Sequence, residues 1–215
     1  GPNKLHMNFQ NKVVWITGAS SGIGRALALE LSNQNALLII SARNKASLET
    51  VKTACKNPHN VWVLPLDLEA HSTFIKITAS ATKIFGRIDI LVNNGGISQR
   101  SLAKDTLVAV DQKIMEVNYT GTVALTKAVL PYFIEKQQGQ IVVTTSIVGL
   151  IGTPLRSSYA ASKHALHGFF DSLRAEVHDH HIDVTLICPG FVSTNISMNA
   201  LTGDGTSQQK MDTAT

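Results

Sequence analysis

Thr17-Gly18-Ala19-Ser20-Ser21-Gly22-Ile23-Gly24 follows a short apolar run, Lys12-Val-Val-Trp-Ile-Thr17, and opens an Ala/Leu-rich stretch over residues 25–31. The apolar run reads as a buried strand and the stretch after it as a helix, so the glycines sit at a strand-to-helix turn. Each glycine has a separate use there. Gly18 permits the tight turn, Gly22 lets backbone approach a pyrophosphate, and Gly24 lets the helix pack closely on the strand. Ser20, Ser21 and Ile23 complete the loop. The helix N-terminus behind it offers unpaired N–H groups and a partial positive charge, which suit phosphate. A flexible loop is the competing reading, and the strand before and helix after argue against it.

The same alternation continues along the chain. Ala36-Leu-Leu-Ile-Ile-Ser41-Ala42-Arg43 reads as a second strand, whose end faces the ribose of a bound adenosine. An acidic residue there would accept from a 2′-hydroxyl; Ser41 and Arg43 stand in its place. A guanidinium suits a 2′-phosphate, so NADP is expected over NAD. Alternatively, Arg43 merely starts the next helix, residues 45–56. Val61-Trp-Val-Leu-Pro65-Leu66 reads as a third strand, at an edge or ending early because Pro65 donates no ladder bond. Asp67 then either accepts from the adenine amino group or caps a helix that begins near Ala70 and stops at Gly86.

Ile88-Asp-Ile-Leu-Val92 is a fourth strand, ending in Asn93-Asn94-Gly95-Gly96, a backbone suited to bending close to a ligand. Helical periodicity over residues 107–138 contains Asn118 and closes on Gly139. An Asn inside a helix either bends it or is buried with its amide hydrogen-bonded. Gln140-Ile-Val-Val-Thr-Thr-Ser146 is a fifth strand, and a helix to about Asp179 follows the loop at Pro154. Ile182-Asp-Val-Thr-Leu-Ile187 is a sixth, followed by Cys188-Pro189-Gly190-Phe191-Val192-Ser193-Thr194 and a polar tail. Alternating strands and helices make an α/β fold with a doubly wound parallel sheet, and right-handed crossovers predict the order 3-2-1-4-5-6. Gly18, Arg43, Asp67, Asn93, Ser146 and Pro189 all follow strands, where such sheets bind ligands.

Tyr159 and Lys163 are four apart in Tyr159-Ala-Ala-Ser-Lys163, so on a helix they share one face. An ammonium beside a phenol favours the phenolate, as does a cationic cofactor ring, and such a tyrosine can pass a proton to or from an oxygen. A lone Tyr-x-x-x-Lys is common by chance; its weight comes from the strand ends around it.

The 215 residues, 44% hydrophobic with a mean hydropathy of +0.09, suffice for one compact domain. Charged residues make up 16% and the net charge is +4, with no dense Lys/Arg run, so nucleic acid is not expected as a partner. No apolar run approaches the ~18 residues of a membrane span. Residues 1–7 read as a protease scar and cloning junction, leaving residues 8–215 as the domain. Cys55 and Cys188 read as buried thiols. His178, His180 and His181 crowd a helix end without tetrahedral metal spacing, and no metal is expected. The sequons at Asn118 and Asn195 fall in the expected active site and read as chance matches.

With these pieces placed, the chain from Lys12 onward resembles the short-chain dehydrogenase/reductase family, which has a Rossmann fold. The residues that carry the resemblance are Thr17 to Gly24, Asn93-Asn-Gly-Gly96, Asn118, Ser146, Tyr159-x-x-x-Lys163 and Pro189-Gly-Phe-Val-Ser-Thr194. Asn93-Asn-Gly-Gly-Ile-Ser-Gln-Arg-Ser-Leu102 and Tyr159-Ala-Ala-Ser-Lys-His-Ala165 resemble the member-seven subgroup more narrowly. The usual Asn-Asn-Ala-Gly reads Asn-Asn-Gly-Gly here, which gives Gly95 slightly more backbone freedom. Family members continue tens of residues further with another helix and a seventh strand, so the domain is expected to be C-terminally incomplete.

The resemblance implies reversible hydride transfer between a nicotinamide and a carbonyl or alcohol carbon. Tyr159 would donate the proton, Ser146 would hold the carbonyl oxygen, and Lys163 would favour the phenolate and bind the nicotinamide ribose. Asn118 would hold a water linking Lys163 to solvent, and Pro189, Gly190, Val192 and Thr194 would hold the carboxamide end. It also implies a homodimer through the helices carrying Asn118 and Tyr159, and an N-terminal anchor to an intracellular membrane such as the endoplasmic reticulum. Leu150, Ile151, Leu155 and Phe191 suit a lipophilic ketone or aldehyde. A non-catalytic nucleotide-binding or dimeric scaffold is the competing class; it need not keep Ser146, Tyr159, Lys163 and Asn118 together.

Overall fold

The computed structural model describes residues 8–146 and 151–189. Six parallel strands form one sheet in the order β3-β2-β1-β4-β5-β6. They are β1 (Val13–Thr17), β2 (Leu37–Ser41), β3 (Val61–Val63), β4 (Ile90–Asn93), β5 (Gly139–Thr144) and β6 (Ile182–Ile187). The helices between them are α1 (Gly22–Asn33), α2 (Lys45–Ala54), α3 (Phe74–Ile84), α4 (Val108–Met115), α5 (Thr122–Lys136) and α6 (Ser157–Val177). The expected order holds because each strand–helix–strand crossover keeps its hand and the winding reverses after β3.

Successive strand residues point to opposite faces, and both faces are buried. Val14, Ile16, Leu38, Ile40, Ile90 and Val92 pack under Ala28 and Leu31 of α1 and Leu48 and Val51 of α2. Val13, Trp15, Ile39, Leu91, Ile141 and Val143 face Phe74, Leu125, Phe133 and Phe170 from α3, α5 and α6. β1 is therefore apolar at both parities, and each fully buried Val, Leu, Ile or Phe contributes about 1.5–3 kcal/mol of transfer free energy.

β3 is shorter than its apolar run because Pro65 interrupts it. The edge pairing still continues, with Leu64 N–H donating to Ile40 O and Leu66 N–H to Ala42 O. The helix near Ala70 starts later than expected: a 3₁₀ turn, His71–Thr73, leads into α3. Gly86 ends that helix with φ +84°, a left-handed stop.

The run over residues 107–138 is not one α-helix. A π-helical turn, Glu116–Gly121, joins α4 to α5 and contains Asn118. Nor does Gly139 close it; Gln137 does, in left-handed conformation at φ 52°. Gly139 begins β5, and a Cβ there would lie 2.3 Å from the Phe133 ring, so packing rather than capping requires the glycine.

Asp89, just before β4, ties the amino edge of the sheet together. It accepts from Val13 N–H at 2.8 Å, pairs with Arg87 at 2.9 Å, and faces the Lys136 ammonium at 3.4 Å. Burial opposes its charge, but the Val13 N–H, Arg87 and Lys136 together outweigh that and hold the carboxyl below the usual range. Cys55 is buried, and burial pushes its thiol up despite Ser32 and Arg25. Cys188 is exposed, contrary to the buried thiol expected of it, because it lies just past β6 at the carboxyl edge. Among the described residues no helix is long and apolar enough to cross a membrane.

Candidate active site

The turn after β1 is built from contacts too close for any side chain. Gly18 has φ +61°, and a Cβ on it would lie 2.6 Å from Asn94 O. A Cβ on Gly24 would lie 2.1 Å from Gly18 O and 2.6 Å from Asn94 Nδ2. Helix α1 thus starts pressed against the turn and the β4 loop. Gly22 also lies in the left-handed region, at φ 54°. Ser21, at the helix N-cap, makes no side-chain cap bond, and no acidic residue occupies the first turn. The first amides of α1 are therefore left for an anionic ligand.

Thr17 holds the two loops together. Its hydroxyl oxygen accepts from Asn94 N–H at 3.0 Å and from Gly95 N–H at 2.9 Å. Asn94 donates from Nδ2 to Gly18 O at 3.2 Å and accepts from the Thr144 hydroxyl at 2.8 Å, so β1, β4 and β5 are cross-braced at their carboxyl ends. Sequence reasoning missed Thr17, Asn94 and Thr144 in this role, because a hydroxyl or amide at a strand end carries no signal of what it will meet.

These loops border a cleft of about 580 Å³ at the carboxyl edge of the sheet. Gly18, Ser20, Ser21, Ser41, Arg43, Asp67 and Gly95 all line it, and its lining extends to Ile97 and Ser98. Arg43 is not the helix cap: Asn44 is, its side chain accepting from Ser47 N–H at 3.1 Å. The guanidinium is thereby left at the cleft. Ser41 lines it with a committed hydroxyl, which accepts from the Trp15 indole at 2.8 Å. Asp67 spends one carboxylate oxygen on Glu69 N–H at 2.9 Å and is otherwise exposed. Asn93 turns away from the cleft, its amide donating to Thr126 in α5 at 3.1 Å. Gly95 uses no special backbone freedom; it leaves room for Leu68, whose Cδ1 would lie 2.7 Å from an added Cβ.

Beyond Ile97 the polar chain continues into α6. Asn118 is 1% exposed. It accepts from Ile97 N–H at 2.8 Å, donates to Ile97 O at 2.8 Å, and donates to the Ser162 hydroxyl at 3.2 Å. Ser162, fully buried, donates on to Tyr159 O at 2.7 Å. Burial of this kind also excludes a glycan at Asn118. The π-helical turn presents this amide to the loop, as such turns often do at functional sites. Tyr159 is half-buried in the first turn of α6, and Lys163, one turn on, puts its ammonium 5.5 Å from the tyrosine ring centroid. Ser146 lies two residues past β5, on the same edge. Gly190, Phe191, Val192 and Thr194 lie outside the described residues, as does Leu150; Pro189 is the last residue described at that end.

A cleft beside the glycine turn, a pinned Asn and a Tyr–Lys pair on one edge of a parallel sheet invite comparison with known proteins. The family model described as short chain dehydrogenase matches residues 12–204. The chain belongs to the short chain dehydrogenase family. It is 52% identical over 200 residues to human dehydrogenase/reductase SDR family member 7, covering 90% of this chain and 59% of that one. It is 44% identical to mouse member 7B, over 94% of this chain and 64% of that one. The chain thus spans roughly three-fifths of the length of these relatives. Among solved structures, it is similar to a short chain dehydrogenase/reductase from Burkholderia phymatum in complex with NAD, at 25% identity and TM-score 0.84, covering 89% and 69% of the two chains. A short-chain dehydrogenase from Streptomyces avermitilis matches at 30% identity and TM-score 0.82, covering 90% and 70%. The member-seven resemblance and the fold both stand on these findings.

Proposed function

We propose that this protein is an NAD(P)-dependent oxidoreductase that moves a hydride between a nicotinamide and a carbonyl or alcohol carbon, with NADP(H) preferred. The observation that carries the reading is the placement of Tyr159 and Lys163 one turn apart on α6, joined through Ser162 to Asn118 and the loop that borders the cleft.

The residues present fit such a cofactor. The Gly18–Gly24 approach leaves backbone where a diphosphate needs it, and α1 presents uncapped amides to that point. Arg43 borders the cleft at the end of β2, where no carboxylate stands. That favours a ribose carrying a 2′-phosphate. When bound, the cofactor supplies or accepts the hydride. Tyr159 gives a proton from its hydroxyl to the carbonyl oxygen as that oxygen gains charge, and Ser146 donates a hydrogen bond to the same oxygen. Lys163 places a positive charge beside the phenol and would hold the nicotinamide ribose. Both amide hydrogens of Asn118 are committed to Ile97 and Ser162, so we assign its side chain to clamping the loop against α6.

Ile151 and Leu155 support a lipophilic ketone or aldehyde as the substrate class. Exposed Leu107, Val108 and Tyr132, along the α4–α5 rod, support a homodimer built on that rod and α6. Sedimentation of the purified protein tests the dimer. Titration with NADPH and with NADH, followed by nicotinamide fluorescence, tests the cofactor: tight NADPH binding is expected, and binding of neither would overturn the proposal.

A further inference from the structure

The geometry points to Gln99 and Arg156 as positioning residues that set Tyr159 from outside its own helix. The inference rests on the reading of Tyr159 as the proton donor.

Tyr159 is the third residue of α6, in the turn where helices fray and where N–H groups lack intrahelical partners. Arg156, at the N-cap, makes no side-chain cap bond to the helix. The cap comes instead from a residue sixty positions away: Gln99 Oε1 accepts from Tyr159 N–H at 3.3 Å. Gln99 is fully buried, and its Nε2 donates to Ser101 O at 3.0 Å and to the Ser101 hydroxyl at 3.1 Å. An amide costs free energy to bury unless its bonds are made. Here the amide makes them, and one of them ends on the backbone of Tyr159.

Arg156 acts on the ring rather than the backbone. Its guanidinium carbon lies 4.3 Å from the Tyr159 ring centroid, nearer than the Lys163 ammonium at 5.5 Å. Nη2 donates to the hydroxyl of buried Ser98 at 2.7 Å, which holds the guanidinium over that face. A third link joins the same segments, from Ser101 N–H to Leu155 O at 2.9 Å. Leu155 adopts φ 70°, a left-handed conformation that a leucine takes only when its surroundings impose it. Ser158 adds a hydrogen bond to Asp111 of α4. Residues 97–101 therefore form a template, clamped on one side by Asn118 and laid on the other against the start of α6. A phenol that must meet a carbonyl oxygen within a fraction of an ångström gains from such outside support.

Three variants of the purified protein test this, with isatin as the carbonyl probe and NADPH as reductant. Arg156→Met and Gln99→Met should each lower kcat by about tenfold to a hundredfold while KM and Kd for NADPH stay within about twofold. Arg156→Lys, which keeps a cation and a donor for Ser98, should recover most of the loss. A second readout needs no substrate. The Tyr159 Cζ resonance, labelled with carbon-13 and assigned with Tyr159→Phe, should move in Arg156→Met and return towards its original position in Arg156→Lys. Unchanged kcat in both Met variants, or a resonance that ignores Arg156, overturns the proposal. Tyr159→Phe separates the two levels: loss of turnover there, with no effect of the Met variants, defeats the positioning role alone. Retained turnover in Tyr159→Phe defeats the reading beneath it.

Discussion

Asn118 grips both backbone polar groups of Ile97, accepting from its N–H and donating to its C=O, each at 2.8 Å. One side chain on a π-helical turn thereby sets the course of the loop leaving β4. Asn118→Leu should cost about 2–4 kcal/mol, since both Ile97 groups lose their partner in a partly buried place. Urea unfolding measures this, and the slope with denaturant should stay constant if only the native state has changed.

The glycines of the cleft should separate by what fills the missing side chain's place. In Gly24→Ala the new methyl meets backbone at 2.1 Å, so the α1 turn must shift, and both stability and NADPH affinity should fall sharply. In Gly95→Ala the closest atom is Leu68 Cδ1 at 2.7 Å, which can rotate aside, and the next is Thr17 Oγ1 at 3.2 Å, which needs to give only slightly, so the cost should be well below that of Gly24→Ala. Thermal melts with and without NADPH compare the two.

This contrast marks where sequence reasoning reaches and where it stops. Strand order, the glycine turn and the spacing of Tyr159 and Lys163 follow from local patterns, because periodicity and short spacings act within one element. The partners of Ser41, Asn93, Asn118 and Gln99 are set by tertiary placement. Ser41 was legible as a residue at the end of β2, yet its hydroxyl serves Trp15. Asn93 was legible as a strand-end amide, yet it faces α5 while its neighbour Asn94 braces the turn. The break in the helix at residues 116–121 also escaped, because a π turn changes the hydrogen-bond pattern without interrupting the apolar period. Gln99 stands in the subgroup-like stretch from Asn93 to Leu102, yet nothing local says that its amide will accept from Tyr159 N–H sixty residues on.

Arg43→Ala tests the basis of cofactor choice. Losing one charge-assisted contact to a 2′-phosphate costs about 1.5–3 kcal/mol, or roughly 10- to 150-fold in NADPH affinity. NADH, which lacks that phosphate, should bind equally well before and after. Parallel fluorescence titrations with both cofactors read the ratio directly.

Asp89 makes stability depend on pH at the acid end. Its carboxyl is held below the usual range in the folded protein, so the folded state favours the ionised form. The resulting stabilisation is fully present above the unfolded value, about 3.9, and disappears as pH falls through the lower folded value. Asp89→Asn should therefore be less stable than the parent at neutral pH, by a margin that narrows only below about pH 4. Melting temperatures from neutral pH downward follow that margin.

Tyr159 is the group we propose hands over the proton. The direct test is Tyr159→Phe, with NADPH affinity and carbonyl reduction measured on the same preparation. Removing one hydroxyl from a half-buried ring should leave NADPH binding unchanged and lower turnover by about 10²- to 10⁴-fold. Turnover near that of the parent, with binding intact, would contradict the account.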